Sequence, residues 1–295
     1  MRDILYWSGN NIGDLFNIYI GLHNGFTSFR KIERTRKSNS NGIFLIGSVI
    51  QYISDNNIVM GSGLKHPVSL TTQQLTDNQF IYVRGQNTLK TNNLSQTTLL
   101  FEPGLLVHKY INTTGERFNS FVFLPHYDQE AFFNNSCILD VDSMRFSPTE
   151  YQLILNKNSQ LSLKSGIMEA FERKFTNYMK HDLILSSSLH GLVFAVALKK
   201  PIIWFTIIGE KTEPVFKYHD FFSLFGVTIK RLDICKDKLP TIVNELKYIV
   251  DLQQTENGEF IYDGWLKEYI CYINPQCYET EMDVFQDKLR EYTTC

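Results

Sequence analysis

The stretch HDLILSSSLHGLVFAVALKKP, residues 181–201, decides the fold. An apolar strand candidate, Leu183–Leu185, ends in three serines, and an almost wholly apolar helix candidate, His190–Lys199, follows at once. Pro201 then opens a second apolar run, Pro201–Phe205. A strand, a helix and a second strand in close succession are typical of a βαβ unit, whose parallel strands are buried on both faces. We therefore predict an α/β protein.

The same alternation runs along the rest of the chain, where short apolar runs end in Gly, Ser or Asn. The other predicted strands are Ile4–Trp7, Gly42–Ile46, Ile58–Met60, Phe80–Val83, Thr98–Phe101, Phe121–Leu124, Cys137–Val141 and Val227–Leu232. The other predicted helices are Asp14–His23, Ile167–Lys180, Glu213–Phe225 and Lys238–Leu252. Ten strands, the sum of these eight and the two above, are many for one parallel sheet, so we predict two sheets of about five strands.

The polar stretch Lys109–Asn119 is the best linker between the two groups of strands. It predicts a Rossmann-like N-terminal domain over 1–112, a second Rossmann-like domain over 113–275 and a C-terminal tail over 276–295. Two doubly wound domains that face a central cleft describe the GT-B architecture. We call the two predicted domains the first and the second half of the chain. We expect the aromatic segment from Gly258 onward to pack back across both halves, with oligomerisation and membrane contact as the alternatives.

Composition excludes several classes of protein. The 295 residues include 29 basic and 31 acidic ones, a net charge of -2, which argues against general nucleic-acid binding but not against a small anionic ligand. No apolar run approaches the roughly 18–20 residues of a membrane span, and the first run is too short for a signal peptide. Five scattered cysteines without a CxxC pair indicate neither a zinc site nor a disulfide framework. We predict a cytoplasmic protein without a metal or cofactor, with peripheral contact at the inner face of the membrane as the alternative.

The candidate site residues follow predicted strands, at the carboxyl edge where α/β sheets bind ligands. The first group surrounds the start of the helix predicted from His190 and consists of Ser187, Ser188, Leu189, His190 and Gly191. The free amides and the dipole of a helix start favour an anion. Alternatively, the serines only cap the helix and His190 is a structural histidine.

The segment Ser8–Asp14 joins the first predicted strand to the first helix. It has neither the spacing of a GxGxxG fingerprint nor a P-loop lysine. Asn11 and Gly13 allow a tight turn. Asp14 can cap the helix, or it can act as a base or ligand toward a sugar hydroxyl.

Glycines and a cation mark the next strand ends. Gly47 with Ser48, and Gly61 with Ser62, let a ligand approach the backbone or merely close a loop. Arg84 places a fixed positive charge on the same rim.

Three weaker candidates remain. His126 follows a strand, and Lys217 begins an amphipathic helix, where it reaches an anion or faces solvent. Asp140-Val141-Asp142 mimics a DxD metal motif, but a three-residue match is common by chance, so we predict no metal site. Hydrolase motifs such as GxSxG and HExxH are absent from the sequence.

Taken in order, these segments resemble the polysaccharide pyruvyltransferase family, in particular its exopolysaccharide and cell-surface glycan branch. The matching pieces are Tyr6-Trp7, Asn11–Asp14, Ile46–Ile50, Gly61–Gly63, Val83–Gly85, Glu102–Leu106, Pro125-His126, Ser187–Gly191 and Phe216–Phe221. Ser-x-Leu-His-Gly, ending at Gly191, is the most specific piece. Glu102 departs from the aspartate that the family usually has before this proline.

The resemblance implies a GT-B-like fold and transfer of a pyruvyl group from phosphoenolpyruvate to two hydroxyls of one sugar, with release of phosphate. The acceptor would be a lipid- or nucleotide-linked glycan, the precursor of a capsule or exopolysaccharide. His190 would serve at the phosphoenolpyruvate site and deliver a proton, while Arg84, Arg145 or Lys217 would neutralise the donor. We expect Arg84 to face the cleft. The alternatives are a GT-B glycosyltransferase with a nucleotide-sugar donor and a non-catalytic glycan-binding protein of the same fold.

Overall fold

The computed structural model describes residues 2–34, 39–111, 118–134, 141–155, 161–249 and 264–293. The strands are β1 (Asp3–Tyr6), β2 (Phe29–Lys31), β3 (Gly42–Phe44), β4 (Ile58–Met60), β5 (Gln79–Val83), β6 (Leu99–Leu100), β7 (Phe118–Leu124), β8 (His181–Ser186), β9 (Ile202–Ile207), β10 (Arg231–Ile234) and β11 (Ile270–Cys271). The helices are α1 (Ile12–His23), α2 (Thr72–Thr76), α3 (Gln86–Thr91), α4 (Val107–Tyr110), α5 (Glu130–Asn134), α6 (Pro148–Leu155), α7 (Leu161–Met179), α8 (Leu189–Ala197), α9 (Phe216–Phe222), α10 (Leu239–Ile249) and α11 (Glu279–Arg290). The α/β prediction is confirmed.

The strands of the described residues form two sheets. The first has the order β2-β1-β3-β4-β5-β6, and all its strands are parallel. The second has the parallel order β7-β8-β9-β10, with β11 antiparallel to β9. Val141 adds a parallel bridge to Phe123 of β7, whose other edge pairs with Leu185 of β8.

In the first sheet, β1 lies between β2 and β3. In the second sheet, β7 lies between Val141 and β8, so the first strand of each sheet is flanked by the next two segments in chain order. In doubly wound sheets of this order, ligands bind where the order reverses, beyond the carboxyl ends of the first and third strands. The reversal lies between β1 and β3 in one sheet and between β7 and β8 in the other. The GT-B arrangement and the domain limits remain predictions, and the limit at residue 112 falls outside the described residues.

An apolar core continues from one sheet to the other. The ring of Phe16 on α1 lies 5.3 Å from Phe175 on α7 and 5.3 Å from Phe194 on α8. Helix α8 is apolar nearly all round and is buried except at His190. Such a helix is held rigidly by its surroundings.

The C-terminal helix α11 packs back across both halves. Tyr278, which precedes it, donates a hydrogen bond to the Val196 carbonyl of the second half (2.9 Å). In the first half, the ring of Phe285 lies 5.1 Å from Tyr82 and 4.6 Å from Phe101. The expected packing of the C-terminal segment is confirmed for residues 264–293.

Several predicted elements differ from the structure in their bounds, among them the helix predicted over Ile167–Lys180, which begins at Leu161. The helix predicted over Glu213–Phe225 begins only at Phe216, because Pro214 has no N–H and keeps Glu213 out of the helical region. The last predicted strand lies later, at Arg231–Ile234. Strand β2 was not predicted, because its three residues carry no continuous apolar run. The strand predicted over Cys137–Val141 lies outside the described residues except for Val141.

Candidate active site

The two chain reversals face one open cleft of ≈ 320 Å³, a volume within the range of small-molecule sites. The residues that line it come from both halves of the chain. They are Trp7, Asn11, Asp14, Arg34, Ser48, Val49, Gln51, Tyr52, Lys65, His126, Tyr127, Ser188, Leu189, His190, Lys211, Glu213 and Lys217.

The loop between β1 and α1 is held in place from both sides. Asn11 caps α1, since its Oδ1 accepts hydrogen bonds from the amides of Gly13 (2.9 Å) and Asp14 (3.3 Å). Asn10 exchanges hydrogen bonds with the backbone of Phe146 in the second half (2.8 and 3.0 Å). This loop is therefore a fixed wall of the cleft.

His190 comes from the second half of the chain and contacts this loop. Its Nδ1 is 3.2 Å from Oδ1 of Asn11. The two amides that donate to this atom identify it as the carbonyl oxygen of Asn11. Because such an oxygen can only accept, Nδ1 must carry the hydrogen and donate it. The lone pair is then on Nε2, which is buried and has no hydrogen-bond partner among the described residues. A buried polar atom without a partner is costly, and it indicates a ligand-binding or catalytic role.

The surroundings of His190 keep its ring neutral. Burial, followed by the positive charges of Lys217 and Arg84, lowers the pKa of His190 to about 3. The ring also packs directly on Gly13, where a Cβ atom would lie 1.9 Å from Cγ of His190. Gly13 is thus required for the position of the ring rather than for contact with a ligand.

The start of α8 has no side-chain cap. Ser188 is the N-cap residue, yet its hydroxyl makes no capping hydrogen bond. Ser187 instead accepts a hydrogen bond from the amide of His126 (2.8 Å), and Ser186 accepts one from the amide of Ser188 (3.0 Å). The alternative in which these serines cap the helix is therefore wrong, and its first amides retain their capacity for an anion.

Asp14 is the second titratable group of this wall. Burial raises its pKa to about 7, and the opposing attraction of Lys217 and Lys65 is too weak to prevent this. A carboxyl group with such a pKa exchanges protons readily near neutral pH.

The cleft is more positive than the chain as a whole. Four cationic side chains line it (Arg34, Lys65, Lys211 and Lys217) against two carboxyl groups, Asp14 and Glu213. The whole chain carries a net charge of -2. A local excess of positive charge in a concave site favours an anionic ligand.

His126, Asp128 and Glu213 could together hold a metal ion, since their ligand atoms lie within 4.8 Å of one another. Lys211 already lies 2.7 Å from Asp128, and Lys217 lies 2.7 Å from Glu213. These ammonium groups compensate both carboxylates and would repel a further cation. Burial lowers the pKa of His126 to about 4.

The DxD-like segment lies elsewhere. Asp142 accepts hydrogen bonds from Lys174 (3.1 Å) and Asn177 (2.7 Å), so it has a structural role, and Asp140 is outside the described residues.

Arg84 does not face the cleft, contrary to expectation. Its side chain is fully buried, and its Nε and Nη2 lie 3.0 and 2.9 Å from Oδ2 of Asp220 on α9. It also donates to the hydroxyl of Ser48 (2.7 Å) and to the carbonyl of Leu64 (2.7 Å). Burial of a guanidinium group requires such full pairing. Arg84 therefore joins the halves and orients Ser48, a residue of the cleft.

The structure brings half of the predicted site residues to the cleft surface. These are Asn11, Asp14, Ser48, His126, Ser188, Leu189, His190 and Lys217. Gly13, Gly47, Gly61, Ser62, Ser187 and Gly191 lie behind it.

Two of these positions show what the residues behind the surface do. A Cβ atom on Gly61 would lie 2.3 Å from Pro103, and Ser62 donates to the carbonyl of Gly47 (2.8 Å). Both shape the wall. Arg145 is not among the residues that line the cleft, and its guanidinium lies over the ring of Tyr127, 5.1 Å from the ring centroid.

The prediction missed several residues of the cleft, among them Lys65, Glu213 and Tyr52. Lys65 and Glu213 lie in loops, and only the fold brings them within 3.3 Å of each other. Tyr52 follows β3 and stacks on Trp7 with ring centroids 5.5 Å apart. A charged or aromatic residue soon after a predicted strand end is the signal that could have identified them.

A family model described as polysaccharide pyruvyl transferase matches residues 28–207. An uncharacterized protein of Acanthamoeba polyphaga mimivirus is 24% identical over an alignment of 197 residues, and this alignment covers 62% of this chain and 59% of that protein. The chain therefore spans less than two thirds of this relative. A functionally uncharacterized protein from Klebsiella pneumoniae subsp. pneumoniae has 14% identity and a TM-score of 0.43, with 79% of this chain and 92% of that chain covered. No helix of the described residues has the length and apolar character needed to cross a membrane.

Proposed function

Since this chain belongs to the polysaccharide pyruvyl transferase family, we propose that it transfers a pyruvyl group from phosphoenolpyruvate to two hydroxyls of one sugar. The product is a cyclic pyruvate ketal on the precursor of a capsule or exopolysaccharide, and the by-product is phosphate. The observation that carries this proposal is His190, whose unpaired Nε2 lies at a positively charged cleft beside an uncapped helix start.

Phosphoenolpyruvate carries a carboxylate and a phosphate, so its site must supply cations and amide donors. The lysines of the cleft and the first amides of α8 are such groups. Negative charge next to His190 would raise the low pKa of its ring by opposing the charges of Lys217 and Arg84.

The reaction makes and breaks a defined set of bonds. Two C–O bonds form at C2 of the donor, while the C2–O bond to phosphate and the C=C double bond break. Each sugar hydroxyl loses one proton. One of these protons adds to the methylene carbon, which becomes a methyl group, and the other leaves with phosphate.

Two groups of the cleft suit these proton transfers. The neutral ring of His190 can accept a proton from a hydroxyl at Nε2, because Nδ1–H is held by Asn11. The resulting imidazolium can then deliver this proton to the methylene carbon, which is the role that we expect of His190 from the sequence. Asp14, with a pKa of about 7, is the second group that can give or take a proton. These steps use no metal ion.

We further propose that the first half holds the acceptor. Trp7 and Tyr52 form an aromatic wall beside Asp14, and a sugar ring can pack its apolar face on such a wall. The acceptor class is a lipid- or nucleotide-linked glycan, and the site of action is the cytoplasm, at the inner face of the membrane where the glycan is lipid-linked.

The test is a product assay. The chain is incubated with phosphoenolpyruvate and a panel of glycan acceptors, and the ketal methyl signal and inorganic phosphate are followed by NMR. His190→Ala should slow transfer by about 10²–10⁴, the usual contribution of a positioned acid–base group, with an unchanged melting curve. His66→Ala changes an exposed histidine outside the cleft and should leave the rate unaltered. Full activity in EDTA is expected, and activity that needs added Mn²⁺ would instead support a metal-assisted glycosyltransferase.

A further inference from the structure

The carboxylate of Glu213 lies inside the cleft, between cationic groups from both halves of the chain. Its Oε2 is 2.7 Å from Nζ of Lys217 and 3.3 Å from Nζ of Lys65. Its Oε1 is 3.7 Å from Nε2 of His126. The side chain is only 8% exposed, although all four residues line the cleft. One carboxylate thus holds together the lysines that the two halves contribute.

Glu213 is ionised in this position. Burial opposes its ionisation, but the charge and hydrogen bond of Lys217, with His126 and Lys65, lower its pKa to about 2. Lys217 is nearly as buried as its partner, with 9% of its side chain exposed. Each lysine therefore has its charge offset by the same carboxylate, and a second anion near them would meet like charge at close range.

The segment that carries Glu213 is exposed over most of its length. Polar contacts hold it, among them a hydrogen bond from Gln129 to the carbonyl of Lys211 (3.0 Å) and the ion pair of Lys211 with Asp128 (2.7 Å). Residues 208–215 join β9 to α9, and residues 208–212 are all exposed. Ile208, for example, is 61% exposed, so displacement of this segment would bring little new apolar surface into contact with water. Few buried contacts are the mark of a segment of low local stability.

We propose that Glu213 marks a subsite for an oxyanion, and that an anionic group of the substrate replaces the Glu213 carboxylate between Lys65 and Lys217. The ligand class is a carboxylate or phosphoryl group, and for the identity of the substrate this inference rests on the proposed function. Glu213 then sets specificity, because only a ligand with enough negative charge to displace it occupies the subsite.

The experiment uses calorimetry to measure the binding of two anions that correspond to fragments of phosphoenolpyruvate. These anions are inorganic phosphate and pyruvate. Glu213→Gln keeps the shape of the side chain and removes the competing charge. The fragment that takes this subsite should then bind at least about tenfold more tightly, since close charge pairs couple by that much or more. Whichever fragment gains identifies the group, phosphoryl or carboxylate. Weaker or unchanged binding of both fragments would overturn the inference and leave Glu213 as a residue that only positions the lysines.

Two variants serve as controls. Asp128→Asn removes a neighbouring carboxylate that pairs with Lys211 rather than with Lys65 or Lys217, and it should change the binding of both fragments much less. Lys65→Gln alters a lysine that is 40% exposed, so it should fold, and it should weaken the same fragment about tenfold. Equal effects of Asp128→Asn and Glu213→Gln would also contradict a specific subsite. A gain in fragment binding without any transfer from phosphoenolpyruvate would uphold the subsite and refute the proposed function.

Discussion

Substitution of Arg84 by methionine tests the interpretation of the buried contact between the two halves. The guanidinium is fully buried and contacts Asp220, Ser48 and Leu64 at 2.7–3.0 Å. Asp220 is also fully buried, and in the variant it would keep only its hydrogen bonds from Thr88 (2.7 and 2.6 Å). Removal of one partner from a buried ion pair costs about 3–5 kcal/mol, because the other charge stays in the protein interior.

The free energy of unfolding, measured by urea denaturation, should therefore fall by about 3–5 kcal/mol in Arg84→Met. Arg290→Met is the matched control, since Arg290 and its partner Asp287 are 56% and 78% exposed, and its effect should stay within about 1 kcal/mol. The double variant with Asp220→Asn should lose less than the sum of the single losses, because the two residues are in direct contact. Additive effects, or a loss for Arg84→Met no larger than the control, would refute the buried ion pair.

Three further predictions concern the cleft. Gly13→Ala places a Cβ atom 1.9 Å from the His190 ring and should slow transfer by about 10²–10⁴, whereas the Cβ of Gly9→Ala meets only Trp7, at 3.5 Å, and should not. Asp14→Asn should raise the free energy of unfolding at pH 8 but not near pH 4. The pKa of the carboxyl rises from 3.8 to about 7 on folding, so the native protein loses stability as the pH increases through that interval; an equal effect at both pH values would contradict this. Trp7→Ala should raise the KM for the acceptor by up to about tenfold and leave the KM for phosphoenolpyruvate unchanged. Steady-state kinetics with each substrate varied would contradict this if only the KM for phosphoenolpyruvate rose.

The fold could be predicted largely from the sequence because parallel strands are short apolar runs that end in polar turns. Leu183–Leu185 lies within β8, and Pro201–Phe205 overlaps β9 from Ile202 onward. Short elements with a mixed composition, such as β2, lack that pattern. Pro214 gives a physical reason for the late start of α9, and weighing it would have improved the prediction.

The site was predictable where side chains follow strands directly, as Asn11, Asp14 and His190 do. The role of Arg84 was not, because its partner Asp220 lies 136 residues away and nothing local indicates burial. The same reason applies to Lys65 and Glu213, whose pairing depends on how the two halves meet. A charged residue after a predicted strand indicates a polar edge of the sheet. Whether it binds a ligand or stabilises the fold depends on the side chain that the fold places beside it.

The most direct test of the central claim is a calorimetric titration of the intact chain with phosphoenolpyruvate and, separately, with UDP. A pyruvyl donor site predicts binding of phosphoenolpyruvate, with loss of binding in Lys217→Gln, and no binding of UDP. Heat of binding on addition of UDP, with no heat of binding on addition of phosphoenolpyruvate, would contradict the account and point to a nucleotide-sugar glycosyltransferase.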